Sequence, residues 1–524
     1  MGYAVWCPVC GVDGTALAND LIAQHLGACQ PSAPVLRLGR EAPAMSTAPP
    51  IPPNAPPFGR PGGTSRTKVR KKNLLRVLCG SVLLVAVLIG AFLFERRAGL
   101  GQKSRDVEAA AKDGLPHTLA ELNAWYVEPP DGQNAAKFIL EGMNALHLPA
   151  VESSAVPLLG RGKLPPLGGP MPASVKSSLG GLIRSNRDAL KLFSQATRFE
   201  QSRYPVDFNL GVEATFPHLN KMLGACQLLE LAAVSHAEAS DATSSVEDLR
   251  SAFALASSLR TEPYLSSQLF RARLVAVAVA ALEQSANRVR WTTEGSAELF
   301  KDLARMEDFD ARGEGFSRGV VAERVMTMSL LGKPVKFLEL LPMLSADVSA
   351  ERRERMAARL QSGKLQAEQH FFDQAWGKLI QLRQQPFPER LKADDMIRQQ
   401  IAEAESEQLV LVECLLAGLK TTAGKEAKCL ASLRLALTAI ALEQFRATHS
   451  NRYPATLSEL TPSLLTTTPT DPYDGQPLRY KTKTEGYEIY SVGPDFKDNL
   501  GHGLNGKEQN LLFAVVIPPK AKKD

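Results

Sequence analysis

YLSSQLFRARLVAVAVAALEQ, Tyr264–Gln284, starts one residue after Pro263 and runs on without a glycine or a proline. It is too long for a buried strand and reads as an apolar helix. Just upstream, Leu249, Phe253, Ala256 and Leu259 recur at intervals of three and four and mark one face of another helix. Ser244, with Glu247 three residues later, predicts a capping box at its start. HLNKMLGACQLLELAAVSHAEA, His218–Ala239, supplies a third helix before these two. Working outward, helical periodicity dominates from about Pro116 to Lys420, and the fold class is multidomain and mainly α.

Helices joined by short turns make this region similar to a tetratricopeptide-type array, although no period of about 34 residues runs through it. An irregular helical array is therefore expected, interrupted by the Pro/Gly-rich loop VPLLGRGKLPPLGGPMP at 156–172 and resuming at 346–381 and 390–420. Chemistry-bearing motifs are scarce: the chain beyond residue 98 has neither H-E-x-x-H nor G-x-S-x-G. GHGLNGKE at 501–508 has P-loop spacing but carries Glu508 where Ser or Thr is needed, and LLFAVVI follows where a helix should be, so nucleotide binding is rejected. His218 and His236 fall on apolar helix faces and are expected to be hydrogen-bonded structural residues. Cys414 and Cys429 flank a turn at TTAGK, where either a disulfide or two separately buried thiols fits.

The C-terminal hundred residues change character. A helix with Leu430, Leu433, Leu437, Ile440 and Gln444 along one stripe leads into Arg452-Tyr453-Pro454, then Asp471-Pro472-Tyr473-Asp474-Gly475 with Pro477 and Tyr480, then Tyr490-Ser491-Val492-Gly493-Pro494-Asp495. Asp474-Gly475 predicts a hairpin turn, LRYKT and YEIYSV alternate as strands, and LLFAVVI can close an antiparallel sheet on the helix. This succession, over about residues 427–515, resembles the globular half of the type II secretion major pseudopilin. The resemblance implies that GPDFKDN is the calcium loop, with Asp495 and Asp498 as carboxylate ligands. In that family the anchor is continuous with the long helix, whereas here more than 300 residues separate them. The module is therefore not expected to polymerise as a pilin.

LLRVLCGSVLLVAVLIGAFLF, residues 74–94, has no charge after Arg76 and reaches the roughly 20 residues needed to cross a bilayer. It lies past residue 70 and ends FLFERR, so an uncleaved anchor at 74–95 is expected and not a signal peptide. The formal charge of +6 is local: residues 31–76 hold nine basic residues against Glu41 alone, residues 1–30 hold only Asp13 and Asp20, and the remainder balances. Basicity of this kind flanks a membrane and is not a nucleic-acid-binding face. The positive-inside bias places the N-terminus in the cytoplasm.

Ahead of the anchor, Cys7, Cys10, His25 and Cys29 form C-x2-C-x14-H-x3-C, with Ala16–Leu26 an amphipathic helix between. Two thiolates on a turn and a His/Cys pair one helical turn apart can meet at one tetrahedral Zn²⁺. C-P-V-C with H-L-x-x-C resembles the small CCHC zinc fingers of DNA-repair ubiquitin ligases, with a longer gap between Cys10 and His25. Ten prolines in 31–66 make an extended spacer.

The expected order is a zinc finger (1–30), a Pro-rich basic linker (31–73), a transmembrane helix (74–95), an extracytoplasmic α-helical domain (98–424) and a pseudopilin-like α+β module (425–524). That order predicts a single-pass protein of the bacterial inner membrane with its bulk in the periplasm. The expected work is binding or scaffolding among protein partners on both sides, without catalysis. An envelope hydrolase with dispersed catalytic groups and a transmembrane sensor remain alternatives.

Overall fold

A computed structural model describes residues 114–149, 156–344, 348–501 and 511–516. The expected zinc finger, linker and anchor at 74–95 lie outside the described residues. The described residues from Pro116 onward belong to one compact unit. Its described part holds fifteen α-helices followed by one three-stranded sheet, so the mainly helical class holds.

The unit begins with α1 (Leu119–Trp125), α2 (Ala135–Asn144), α3 (Ala173–Ser185) and α4 (Arg187–Ala196). Three long helices follow at the expected places: α5 (Pro217–Glu238), α6 (Ala242–Ser257) and α7 (Leu265–Ala286). Each packs on the other two. The start of α6 differs from the capping box read at Ser244 and Glu247. Asp241 is the N-cap and its side chain accepts from Ser244 N, while Glu247 accepts from the Ser194 hydroxyl on α4. A carboxylate three positions before Ser244 captures the free Ser244 amide. The strap at 156–172 is irregular, as expected, but it is not a free surface loop: Val156, Leu159 and Met171 are buried against Leu228 and Leu231 of α5.

The chain continues through α8 (Thr293–Ala311), α9 (Glu314–Leu331), α10 (Pro334–Leu344), α11 (Ala350–Ser362), α12 (Gln366–Arg383), α13 (Lys392–Ser406) and α14 (Val410–Ala417). The stretches read as 346–381 and 390–420 are thus each two helices, the first broken at Gly363 with φ +66°. Gly319 on α9 sits against the backbone of Leu265, where a Cβ would lie 2.7 Å from the Leu265 Cα; only glycine allows this crossing.

Helix α7 is the one described helix long and apolar enough to span a bilayer by length and composition. Here α5, α6, α9 and the long helix α15 (Thr422–Thr448) pack around it, and Gln268 and Arg271 are buried on it. Packing inside the unit accounts for its apolar character.

Helix α15 carries the predicted stripe of Leu430, Leu433, Leu437 and Ile440, but it is buried on nearly every face. On one side it meets α7 and α8, and on the other the sheet made of β1 (Arg479–Lys483), β2 (Gly486–Ser491) and β3 (Leu511–Val516). The sheet is antiparallel in the order β1-β2-β3, with Tyr480 opposite Ile489 and Ile489 opposite Phe513. Lys483 faces Gly486, so the β1–β2 hairpin turns at Thr484-Glu485. Asp474-Gly475 makes a turn, as expected, at the tip of a small loop closed by the antiparallel Thr470–Pro477 bridge, with Gly475 at φ +72°. Tyr487, Ile489, Phe513 and Val515 share one core with α5 to α8 and α15. A second core gathers α9 to α14.

Candidate functional site

Two places collect polar side chains that a sequence reading does not join. The first is a cleft of about 60 Å³ between α6, α8 and the segment 197–202. Segment 197–204 is held from behind by Asn134, whose amide donates to Arg203 O (2.9 Å) and accepts from Arg203 N (3.0 Å). Phe199 and Ala254 supply apolar wall, and Arg250, Arg260 and Arg305 supply positive charge. Arg250 is committed to Asp302 (2.7 Å) and Glu298 (3.4 Å). Arg305 reaches Glu200 (2.8 Å) at the exposed mouth. Arg260 donates only to the Glu200 carbonyl (2.6 Å) and forms no ion pair among the described residues. Burial holds Arg260 below its ordinary pKa, with Glu200 opposing and Arg305 adding repulsion.

Ser202 and Ser258 line the same cleft and lead inward. The Ser202 hydroxyl donates to Ser258 O, and Tyr204 Oη shares a hydrogen bond of 2.7 Å with Ser258 Oγ. The Tyr204 ring stacks on His218 at 4.1 Å, and His218 Nε2 meets Glu262 at 3.1 Å. Tyr126 donates to Glu262 (3.3 Å) and accepts from Tyr204 N (3.0 Å); Ser267 also donates to Glu262. Burial pushes both phenols above their ordinary range, so they stay protonated donors. His218 is therefore a hydrogen-bonded structural residue, as expected from its apolar face. His236 is the same, pairing with Asp248 at 2.7 Å.

The second place is the loop cluster at the end of the sheet. Asp495, in the turn after β2, accepts from Lys497 N (3.2 Å) and Asn499 Nδ2 (2.9 Å). Asp498 accepts from Tyr490 Oη (3.0 Å) and Leu500 N (2.9 Å). The two carboxylates expected to share a calcium ion are thus engaged by different partners. Arg479 stands among Asp471 (3.4 Å), Asp474 and, more distantly, Asp498 (3.9 Å). Its guanidinium offsets the negative charge of these three acids. Among the described residues, no group of three or more His, Cys, Asp or Glu is arranged to hold a metal. Asp471, fully buried, fastens the loop to β2 by accepting from Tyr473 N (3.0 Å), Ser491 Oγ (2.9 Å) and Val492 N (2.7 Å).

The zinc ligands Cys7, Cys10, His25 and Cys29 lie outside the described residues. Cys414 and Cys429 are buried, free thiols in different cores. Missed altogether was a buried ionic junction where α7, α8, α12 and α15 meet. Arg271 pairs with Asp310 through both guanidinium ends, and Glu426 takes Arg383 (2.6 Å) and Arg390 (2.9 Å). Arg271, one of two arginines in a largely apolar helix, was the available signal, since a charge buried there needs a partner.

No protein-family model matches this sequence, no curated protein matches it, and no solved structure matches the fold.

Proposed function

We propose that this chain is a single-pass, membrane-anchored protein of the bacterial envelope that works by binding and scaffolding. Residues 74–95 are its anchor, and the basic flank before them holds the N-terminus in the cytoplasm. Cys7, Cys10, His25 and Cys29 hold a Zn²⁺ in a finger that the Pro-rich linker carries out from the membrane. The helical array and the C-terminal module, with its likeness to the secretion pseudopilins, meet protein partners on the far side.

The observation that supports a binding role is the arginine-lined cleft between α6 and α8. It offers positive charge beside an apolar wall, while the nearest imidazole and phenols are tied into a buried network. Such a recess recognises a ligand by charge and shape.

Two measurements test the reading. Alkaline phosphatase fused after Lys103 should be active and after Arg66 inactive; the reverse pattern overturns the topology. The full chain, solubilised from envelope extract, should retain a protein partner that Arg260→Glu releases. Unchanged retention in that variant would remove the cleft from the binding reading.

A further inference from the structure

We infer that the cleft between α6 and α8 is a carboxylate site, with Arg260 and Arg305 as its cations, Ser257 as a hydroxyl donor and Glu200 as a built-in occupant that the ligand displaces. This rests on the binding reading above and names the chemistry of what is bound.

The geometry assigns each part. Glu200 is fixed twice: Arg260 holds its backbone carbonyl at 2.6 Å, and Arg305 holds its carboxylate at 2.8 Å. The guanidinium of Arg260 therefore sits beside a carboxylate-bearing residue yet spends its bond on the neutral carbonyl. The Arg305–Glu200 pair is exposed, with 44% and 66% of the two side chains in solvent. Pairs so exposed contribute little and are exchanged readily. An incoming carboxylate can bridge Arg305 and Arg260 together, a pairing Glu200 does not achieve, and charge-assisted bonds to two guanidinium groups are stronger than one exposed pair. Ser257 lines the cleft and its hydroxyl makes no hydrogen bond among the described residues. Phe199 and Ala254 cover the non-polar part of the ligand. Of the other charges lining the cleft, Arg250 and Asp302 neutralise each other at 2.7 Å. The space suits a group the size of a few water molecules, such as a chain terminus or an acidic side-chain end.

Titration calorimetry on the full-length chain in detergent tests this with four probes. N-acetylglycine stands for a peptide C-terminus and N-acetylaspartyl amide for an acidic side chain; N-acetylglycinamide removes the charge, and inorganic phosphate offers a different anion. One of the two carboxylates should bind at millimolar concentration, and the one that binds more tightly identifies the source. Arg260→Gln should weaken it by about tenfold or more. Glu200→Gln should strengthen it roughly two- to fivefold, the scale of one exposed ion pair, and a misfolded variant cannot produce a gain. Absence of carboxylate binding, unchanged or weaker binding in Glu200→Gln, or phosphate bound more tightly than either carboxylate would overturn the inference. If Arg260→Glu releases a protein partner while no carboxylate binds, the inference fails and the binding reading stands.

Discussion

Glu426 shows how much one residue carries. It is fully buried and answers two guanidinium groups, Arg383 and Arg390. Arg390 is satisfied on every side, by Glu426, Gln385 O and Ala311 O, whereas Arg383 leaves Nε and Nη1 without a hydrogen-bond partner among the described residues. Removing the shared acid strands two buried cations, so Glu426→Gln should cost about 3–5 kcal/mol in denaturant unfolding. Arg383→Met should cost much less, because it also removes two unpaired donors. Equal losses would show that the junction does not depend on Glu426 as its centre. Glu230 on α5 is a different case: it is 5% exposed, and burial alone pushes its carboxyl up to about 8 from an ordinary 4.5. The folded form then keeps a proton that the unfolded chain releases. Stability should fall as pH rises from about 4.5 to about 8. Glu230→Gln should flatten that slope and raise Tm at pH 8. A Tm series across the window in both proteins checks the sign.

Among elements, the sheet is the instructive one. Strand β3 is an edge, and α7 closes it with side chains that imitate a neighbouring strand. Asn287 donates to Ala514 O (2.8 Å) and accepts from Val516 N (2.6 Å), and Glu283 accepts from Ala514 N (2.7 Å). An open edge invites pairing with another chain. Asn287→Ala should therefore cost about 1–2 kcal/mol and increase self-association, seen as a lower Tm together with a higher scattering mass. A monomer of unchanged mass would show that other features protect the edge. The cap of α15 follows the same logic across elements: Asp394 on α13 accepts from Ala423 N and Gly424 N, both at 2.9 Å. Neither device has a local sequence pattern, because acceptor and donor come from different elements.

For the whole unit, the boundary expected between 424 and 425 does not coincide with a break in packing. Helix α15 begins at Thr422 and its residues belong to the core that holds α5 to α8 and the sheet. Arg434 on α15 reaches Glu307 on α8 at 2.7 Å and Thr470 O at 2.7 Å, joining array and module through one side chain. The C-terminal module is therefore expected to unfold with the helices that pack on α15. Calorimetry of the purified chain should give one transition covering both, and Tyr487→Ala in the sheet should lower the transition of the array as well. Two separated transitions, with only the smaller one moved by the variant, would show independent domains.

The sequence by itself determined several of the elements. The three-and-four spacing at Leu249, Phe253, Ala256 and Leu259 places α6, and the alternation in YEIYSV places β2, because an amphipathic period is a local property of the chain. It also marked the stripe of α15 and the strand LLFAVVI. Tertiary structure alone decided what those elements bury and what they leave open. The second face of α15, the pairing of Arg271 with Asp310 and of Arg383 and Arg390 with Glu426, and the meeting of Arg260, Arg305 and Glu200 at one cleft all join residues far apart in the chain. Charges on separate helices carry no periodic trace of their partners. A buried ion is compensated only where folding brings its counter-charge within reach.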